Sequence, residues 1–281
     1  MRYPDPDHID AICKAALKED IGSGDVTTLA IHSDITAKAD IVSKQEGVLA
    51  GIEVAGRVFR IADPNLNITY LKKDGDLLKS GDTVLSLSGK GASILGAERT
   101  ALNLLGRMSG IATLTRAYAE KVRGTGCKIL DTRKTIPNLR FLDKYAVTCG
   151  GGENHRFGLY DMILIKENHI RWAGGIEKAL VHALAYARPR GLKIEIEVTD
   201  PDEFEAALAF PVDMIMLDHF SLDDMRKAVT MNTKGILLEA SGNMGLEHVR
   251  AVAETGVHVI SVGALTHSVT CFDLSLLFHV S

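Results

Sequence analysis

At 281 residues, 46% hydrophobic and 24% charged, the chain has the composition of an ordinary soluble globular protein, long enough for one large or two modest domains. A formal net charge of −4 argues against generic nucleic-acid binding, which leaves a basic footprint, and no apolar run reaches membrane-spanning length. Cys13, Cys127, Cys149 and Cys271 lack CxxC spacing, and Met1 to Asp5 lacks the regions of a signal peptide, so the expectation is a cytoplasmic protein with reduced thiols.

Apolar residues Ile9, Ile12, Cys13, Ala16 and Leu17 recur at helical spacing between Asp7 and Asp20. After Gly22-Ser23-Gly24-Asp25, short β-like runs separated by Gly, Asp and Lys fill about Ala37 to Leu87, which reads as a small α+β sandwich domain. Its Asp74-Gly75-Asp76 and Lys79-Ser80-Gly81-Asp82 turns resemble those of lipoyl or biotinyl carriers, but no modifiable lysine hairpin follows. From Ala92 the pattern is helical, with one helix over Ile94–Leu105 and another over Ile111–Val122, divided at Gly106 and Ser109-Gly110. From Lys128 onward strands and helices alternate. Apolar runs at Ile129–Leu130, Met162–Ile165, Ile194–Val198, Met214–Leu217, Ile236–Leu238 and Val259–Val262 are predicted strands, and Ser221 caps a helix with acids in its first turn. Such βα units predict an open or incomplete α/β barrel, with a doubly wound sheet as the alternative, although no GxGxxG follows the first strand. The expected division is 1–103 for the N-terminal domain and 104–267 for the barrel, with the tail 268–281 packing back on the former.

In parallel barrels the active face lies at the C-terminal strand ends. Here those ends are polar: Asp131-Thr132-Arg133-Lys134, Lys166-Glu167-Asn168-His169, Asp218-His219, Glu239-Ala240-Ser241-Gly242-Asn243 and Gly263-Ala264. Basic residues outnumber acids eight to two between Arg99 and Lys134, and His155, Arg156, Lys166 and His169 add to them. Arg116, Lys121 and Arg123 read as a solvated helix face. Arg133, Lys134 and Lys166 stand beyond buried-type strands, where a lone charge is costly without an anionic partner. Guanidiniums suit planar carboxylates and ammonium groups act as point charges, so the expected substrate is small and multiply anionic. Glu197 and Asp218 end consecutive strands and suit a divalent cation, ribose hydroxyls or a developing positive charge, with Glu195 or Glu197 open as the one facing the site. Ser241 to Gly245 is expected to open a helix. That loop and Gly263-Ala264 would bring backbone N–H groups to a phosphate.

The runs Asp131-Thr132-Arg133-Lys134-Thr135, Gly150-Gly151-Gly152-Glu153-Asn154-His155-Arg156 and Lys166-Glu167-Asn168-His169-Ile170 closely resemble those of quinolinate phosphoribosyltransferases. Glu98-Arg99-Thr100, Leu238-Glu239-Ala240-Ser241-Gly242 and Val262-Gly263-Ala264-Leu265-Thr266-His267-Ser268 match too, so the resemblance spans essentially the whole chain. Glu167 and His219 depart from the pattern, where Asp and Asn are common. The resemblance implies that Arg133, His155, Arg156 and Lys166 bind the carboxylates of quinolinate, with Arg99 from the partner subunit. It places Lys134, Ser241, Gly242, Asn243, Gly263, Ala264 and His267 against phosphoribosyl pyrophosphate, whose Mg2+ and ribose lie near Glu197 and Asp218. Lys134, Glu197 and Asp218 are the implied catalytic set. The implied assembly is a homodimer sharing its active sites, with a hexamer as the higher form. The alternatives are a same-fold paralogue from molybdenum operons and a Schiff-base aldolase using Lys166.

Overall fold

The computed structural model describes residues 5–31 and 35–280. Residues 1–4, on which part of the signal-peptide reading rested, lie outside them. The chain begins α1 (Pro6–Ile21), α2 (Val26–Ile31), β1 (Thr36–Ser43), β2 (Gly47–Val48), α3 (Ile52–Ala62), β3 (Asn67–Tyr70), β4 (Leu77–Leu78) and β5 (Thr83–Lys90). It continues α4 (Gly91–Val122), β6 (Lys128–Leu130), α5 (Arg140–Cys149), β7 (Ile163–Ile165), α6 (Glu167–Ala173), α7 (Ile176–Ala187), β8 (Ile194–Val198) and α8 (Pro201–Leu208). The last elements are β9 (Met214–Asp218), α9 (Leu222–Met231), β10 (Leu237–Ser241), α10 (Val249–Ala253), β11 (Val259–Ser261), α11 (Ala264–His267) and β12 (Leu274–Val280). Among the described residues no helix is long and apolar enough to cross a membrane.

Two compact units emerge. The first comprises 1–116, 135–151 and 265–281, and the second 117–134 and 152–264. In the first, β12-β1-β5-β3 form an antiparallel sheet, and β12 pairs along β1 from Ser43 opposite Leu274 to Ala37 opposite Val280. Helix α1 starts where the Asp5 carboxylate accepts from the amide of Asp7 with Pro6 in the first turn, and it buries Ile9, Cys13 and Leu17. The two helices expected around Gly106 and Gly110 are one helix, α4, which also runs unbroken past 103/104. These glycines serve close approach and do not end the helix. A Cβ on Gly106 would come 2.9 Å from the carbonyl oxygen of Phe272, and one on Gly110 would come 2.3 Å from that of Thr270.

In the second unit six parallel strands lie in the order β6-β11-β10-β9-β8-β7, an open sheet with helices between successive strands. Ser221 caps α9 as predicted, its hydroxyl accepting from the amide of Asp224 at 3.1 Å. Strand side chains alternate between faces. One face carries Ile196, Ile215, Leu217, Leu238 and Ala240, all fully buried. The other carries Glu195 and Glu197 from β8, Met216 and Asp218 from β9, and Glu239 and Ser241 from β10. Pairing sets Glu197 level with Met216 and Glu239, and Asp218 level with Ser241.

Candidate active site

The acidic face is graded from floor to mouth. Glu195 and Glu239 are 0% exposed, the Glu197 side chain 12% and that of Asp218 24%. Strand β10 extends to Ser241, past the Leu238 end expected from hydropathy, because its backbone pairs in register with β9 as far as Asp218. Glu239 is therefore a residue of a buried strand, which a reading of apolar runs places in a loop. The question left open between the two β8 acids is answered by depth. Glu195 lies in the floor, and Glu197 forms an ion pair with Lys166 higher up.

Lys166 ends β7 and opens α6, where its amide donates to Nδ1 of His169 at 2.9 Å. This reciprocal cap aims a half-exposed ammonium along the sheet face toward Glu197. In the floor, Nε2 of His155 lies 2.8 Å from Glu195 and 3.4 Å from Glu239. Burial alone would lower the basicity of His155, and the two carboxylates beside it act in the opposite sense. Burial first, then the charge of Glu239, push Glu195 upward. Nδ1 accepts the Arg156 amide at 2.7 Å, which places the ring proton of His155 on Nε2.

Arg133 follows β6, and Arg156 follows His155. Arg156 donates from Nη1 to the carbonyl of Met162 at 3.1 Å. The Nε atoms of both arginines are buried with no acceptor. Burial, and then the neighbouring positive charge of Arg133, hold Arg156 below the usual guanidinium range. Two like charges held together with unanswered buried donors form an anion site by chemistry. Lys134 is exposed next to them, its amide donating to the Thr132 hydroxyl at 3.0 Å.

On the β9–β10 side, His219 has a left-handed backbone with φ of 58°, and its Nδ1 lies 2.8 Å from Asp218. Its amide donates to the carbonyl of Ser241 at 3.0 Å. Gly242 (φ 100°) seats the imidazole, since a Cβ there would come 2.7 Å from the ring. The helix expected to open at Ser241–Gly245 begins only at Val249, because Gly242 and Asn243 are both left-handed and turn the chain away first. Tyr118 props this loop, its hydroxyl donating to the Met244 carbonyl at 2.9 Å. Gly263 and Ala264 follow β11, and α11 starts at Ala264. Replacing Gly242 with alanine is expected to cost about 1–3 kcal/mol through left-handed strain and the clash with His219. Thermal unfolding checks this, and an unshifted midpoint would show that the ring simply moves aside.

Arg99 and His267 belong to the first unit. Arg99 is exposed on α4, and His267 ends α11 with Nδ1 2.7 Å from the Ser268 hydroxyl. Glu239, Asp131 and Tyr118 were missed as contributors. The one signal for Glu239 was an acid inside an otherwise aliphatic Leu237-Leu238-Glu239-Ala240 run.

An open parallel sheet whose strand ends gather paired guanidiniums, a lysine over acids, and glycine turns defines an α/β enzyme acting on small, multiply charged anions. The chain belongs to the quinolinate phosphoribosyl transferase family: the N-terminal domain model of that family matches residues 25–109 and the C-terminal domain model matches 111–277. It is 43% identical to a probable nicotinate-nucleotide pyrophosphorylase (carboxylating) of Bacillus subtilis, over 92% of this chain and 89% of that one. It is 40% identical to quinolinate phosphoribosyltransferase (decarboxylating) 1b of Nicotiana tabacum, over 94% of this chain and 80% of that one. The solved nicotinate-nucleotide pyrophosphorylase of Francisella tularensis superposes with a TM-score of 0.94 at 41% identity, covering 99% of this chain and 98% of that one.

Proposed function

We propose that this chain transfers the phosphoribosyl group of phosphoribosyl pyrophosphate to quinolinate, releasing pyrophosphate and CO2 and giving nicotinate mononucleotide for NAD synthesis. The observation that carries this reading is the Arg133–Arg156 pair, whose buried Nε donors lack acceptors. A planar molecule with two carboxylates neutralises both charges and fills both donors, which a single monoanion does not.

In the reaction, the pyridine nitrogen attacks the anomeric carbon as its bond to pyrophosphate oxygen breaks. Positive charge develops on the ribose, and in this reading Glu197 and Asp218 stabilise it. The adjacent carboxylate then leaves as CO2, its bonding electrons taken up by the carbon next to the now cationic ring nitrogen, and a proton replaces it. Lys166 must exchange Glu197 for a substrate carboxylate, a swap of one charge-assisted contact for another. Lys134, Ser241, Gly242, Asn243, Gly263 and Ala264 supply charge and backbone donors for the phosphates. Glu197 and Asp218 offer the hard oxygen donors that magnesium takes alongside phosphate oxygens and water, so this site fits the ion that accompanies phosphoribosyl pyrophosphate. Bound there, Mg2+ would neutralise phosphate charge.

Incubating the protein with quinolinate labelled in the 2-carboxylate, phosphoribosyl pyrophosphate and magnesium is expected to release labelled CO2 and pyrophosphate in equal amounts. Pyrophosphate release without CO2, or neither, would refute the reaction. Lys166 in an ion pair is a poor Schiff-base nucleophile, and borohydride trapping with a carbonyl compound is expected to fail.

The active unit we propose is a cytoplasmic homodimer in which Arg99 completes the carboxylate pocket of the partner subunit, and a hexamer would be built from such dimers. Mixing Arg99→Ala chains with Arg133→Ala chains is then expected to restore activity through heterodimers with one intact site. No recovery, with subunit exchange verified by mass spectrometry, would rule out sharing.

A further inference from the structure

His155 is engaged through both ring nitrogens and its own amide. Nε2 faces Glu195 at 2.8 Å and Glu239 at 3.4 Å. Nδ1 accepts from the amide of Arg156 at 2.7 Å, and the His155 amide donates to Oδ1 of Asp131 at 2.9 Å. Glu195, Glu239 and Asp131 are all 0% exposed. A ring nitrogen that accepts an N–H carries no proton, so the ring proton sits on Nε2, the nitrogen that lies beside the two carboxylates. The same tautomer argues against a metal in this His155–Glu195–Glu239 cluster, although its ligand atoms lie within 4.8 Å of one another. Coordination would need the Nε2 lone pair, where the proton is, and a free N–H at Nδ1, where an amide stands.

Neither Glu195 nor Glu239 has a part in the reaction as derived above. Yet two guanidiniums of like charge must be held together by something before a ligand arrives. Arg156 donates from Nη1 to the carbonyl of Met162, and the ties on its main chain run through His155. It fixes the main chain of Arg156 from one side, while its own amide ties to Asp131, two residues before Arg133. We propose that Glu195 and Glu239 are positioning residues for the dicarboxylate pocket: their carboxylates flank Nε2 of His155 and hold the ring by charge, and His155 holds the main chain that keeps Arg156 beside Arg133. This inference rests on the reading of Arg133 and Arg156 as the carboxylate-binding pair.

The test is quinolinate affinity in Glu195→Met, which keeps volume and removes the acceptor, and in Glu195→Gln, which retains an acceptor oxygen. Glu195→Met is expected to weaken quinolinate binding about tenfold or more, the scale of losing an orienting partner one step from the ligand. The KM for phosphoribosyl pyrophosphate should stay nearly unchanged, and Glu195→Gln should recover most of the loss. In the wild-type protein, 15N shifts of His155 at neutral pH are expected to show a bare Nδ1 and a protonated Nε2. That measurement needs no variant, so it decides the matter even if Glu195→Met does not fold. A protonated Nδ1, unchanged quinolinate affinity in folded Glu195→Met, or equal losses for both substrates would overturn the proposal. Arg133→Ala separates the two layers. If it leaves quinolinate binding intact, the pocket itself is misread; if it abolishes binding while Glu195→Met does not, only the positioning role falls.

Discussion

Arg107→Ala is expected to destabilise the first unit by about 3–5 kcal/mol, the scale of removing one partner from a buried ion pair. Arg107 meets Asp143 with two parallel contacts, Nε to Oδ1 at 2.9 Å and Nη2 to Oδ2 at 2.8 Å, and Nη2 also donates to the carbonyl of Thr266 at 2.9 Å. Asp143 is fully buried, and burial already pushes its pKa upward against the pull of Arg107. Without the guanidinium the carboxylate would take up a proton, which limits the loss, but the contact from Nη2 to the Thr266 carbonyl would go too. Replacing both partners with apolar residues should recover part of the stability and not all of it, because Asp143 also accepts from the amide of Ile136 at 3.3 Å. Urea unfolding of the two single variants and the double variant measures this directly. An Arg107→Ala midpoint equal to wild type would mean that the pair contributes nothing net.

Arg133→Ala is expected to weaken quinolinate binding by about 2–4 kcal/mol, the scale of losing a charge-assisted, two-pronged contact in a desolvated pocket. The variant also relieves the repulsion between Arg133 and Arg156. Relief stabilises the empty protein, whereas the lost contact is felt only in the complex, and both effects reduce affinity. The variant should therefore unfold at a slightly higher temperature than wild type while binding quinolinate more weakly. Calorimetric titration together with a melting curve tests the pair of outcomes. Unchanged affinity would remove Arg133 from the carboxylate site.

Strand order and register explain why some of this was readable from residues alone. β8, β9 and β11 lie where aliphatic runs predicted them, because a strand covered by helices needs uninterrupted apolar residues on one face. Lys166 after the β7 run, Asp218 after that of β9 and Gly263 after that of β11 sit at strand ends for the same reason. The failures share one cause. Gly106 and Gly110 read as breaks because glycine weakens an isolated helix, but packing against Phe272 and Thr270, over 150 positions away in sequence, requires them inside one. Glu239 read as loop because acids avoid buried strands, and the opposing His155 that faces it there comes from a distant part of the chain. Ser241 to Gly245 read as a helix start because glycine and polar residues suit one, yet Gly242 is there to seat His219.

By itself, then, the sequence determined the α/β alternation, the concentration of basic groups at the strand ends, and the anionic character of the ligand they suit. These depend on periodicity and local charge, which act between near neighbours. Only the tertiary structure decided that Glu195 belongs to the floor and Glu197 to Lys166, that His155 stands between the Arg156 amide and Glu195, and that Arg133 and Arg156 stand together with unfilled donors. Those are matters of depth and of contact between strands far apart in the chain, and alternation along one strand places Glu195 and Glu197 on the same face without saying which of them meets solvent.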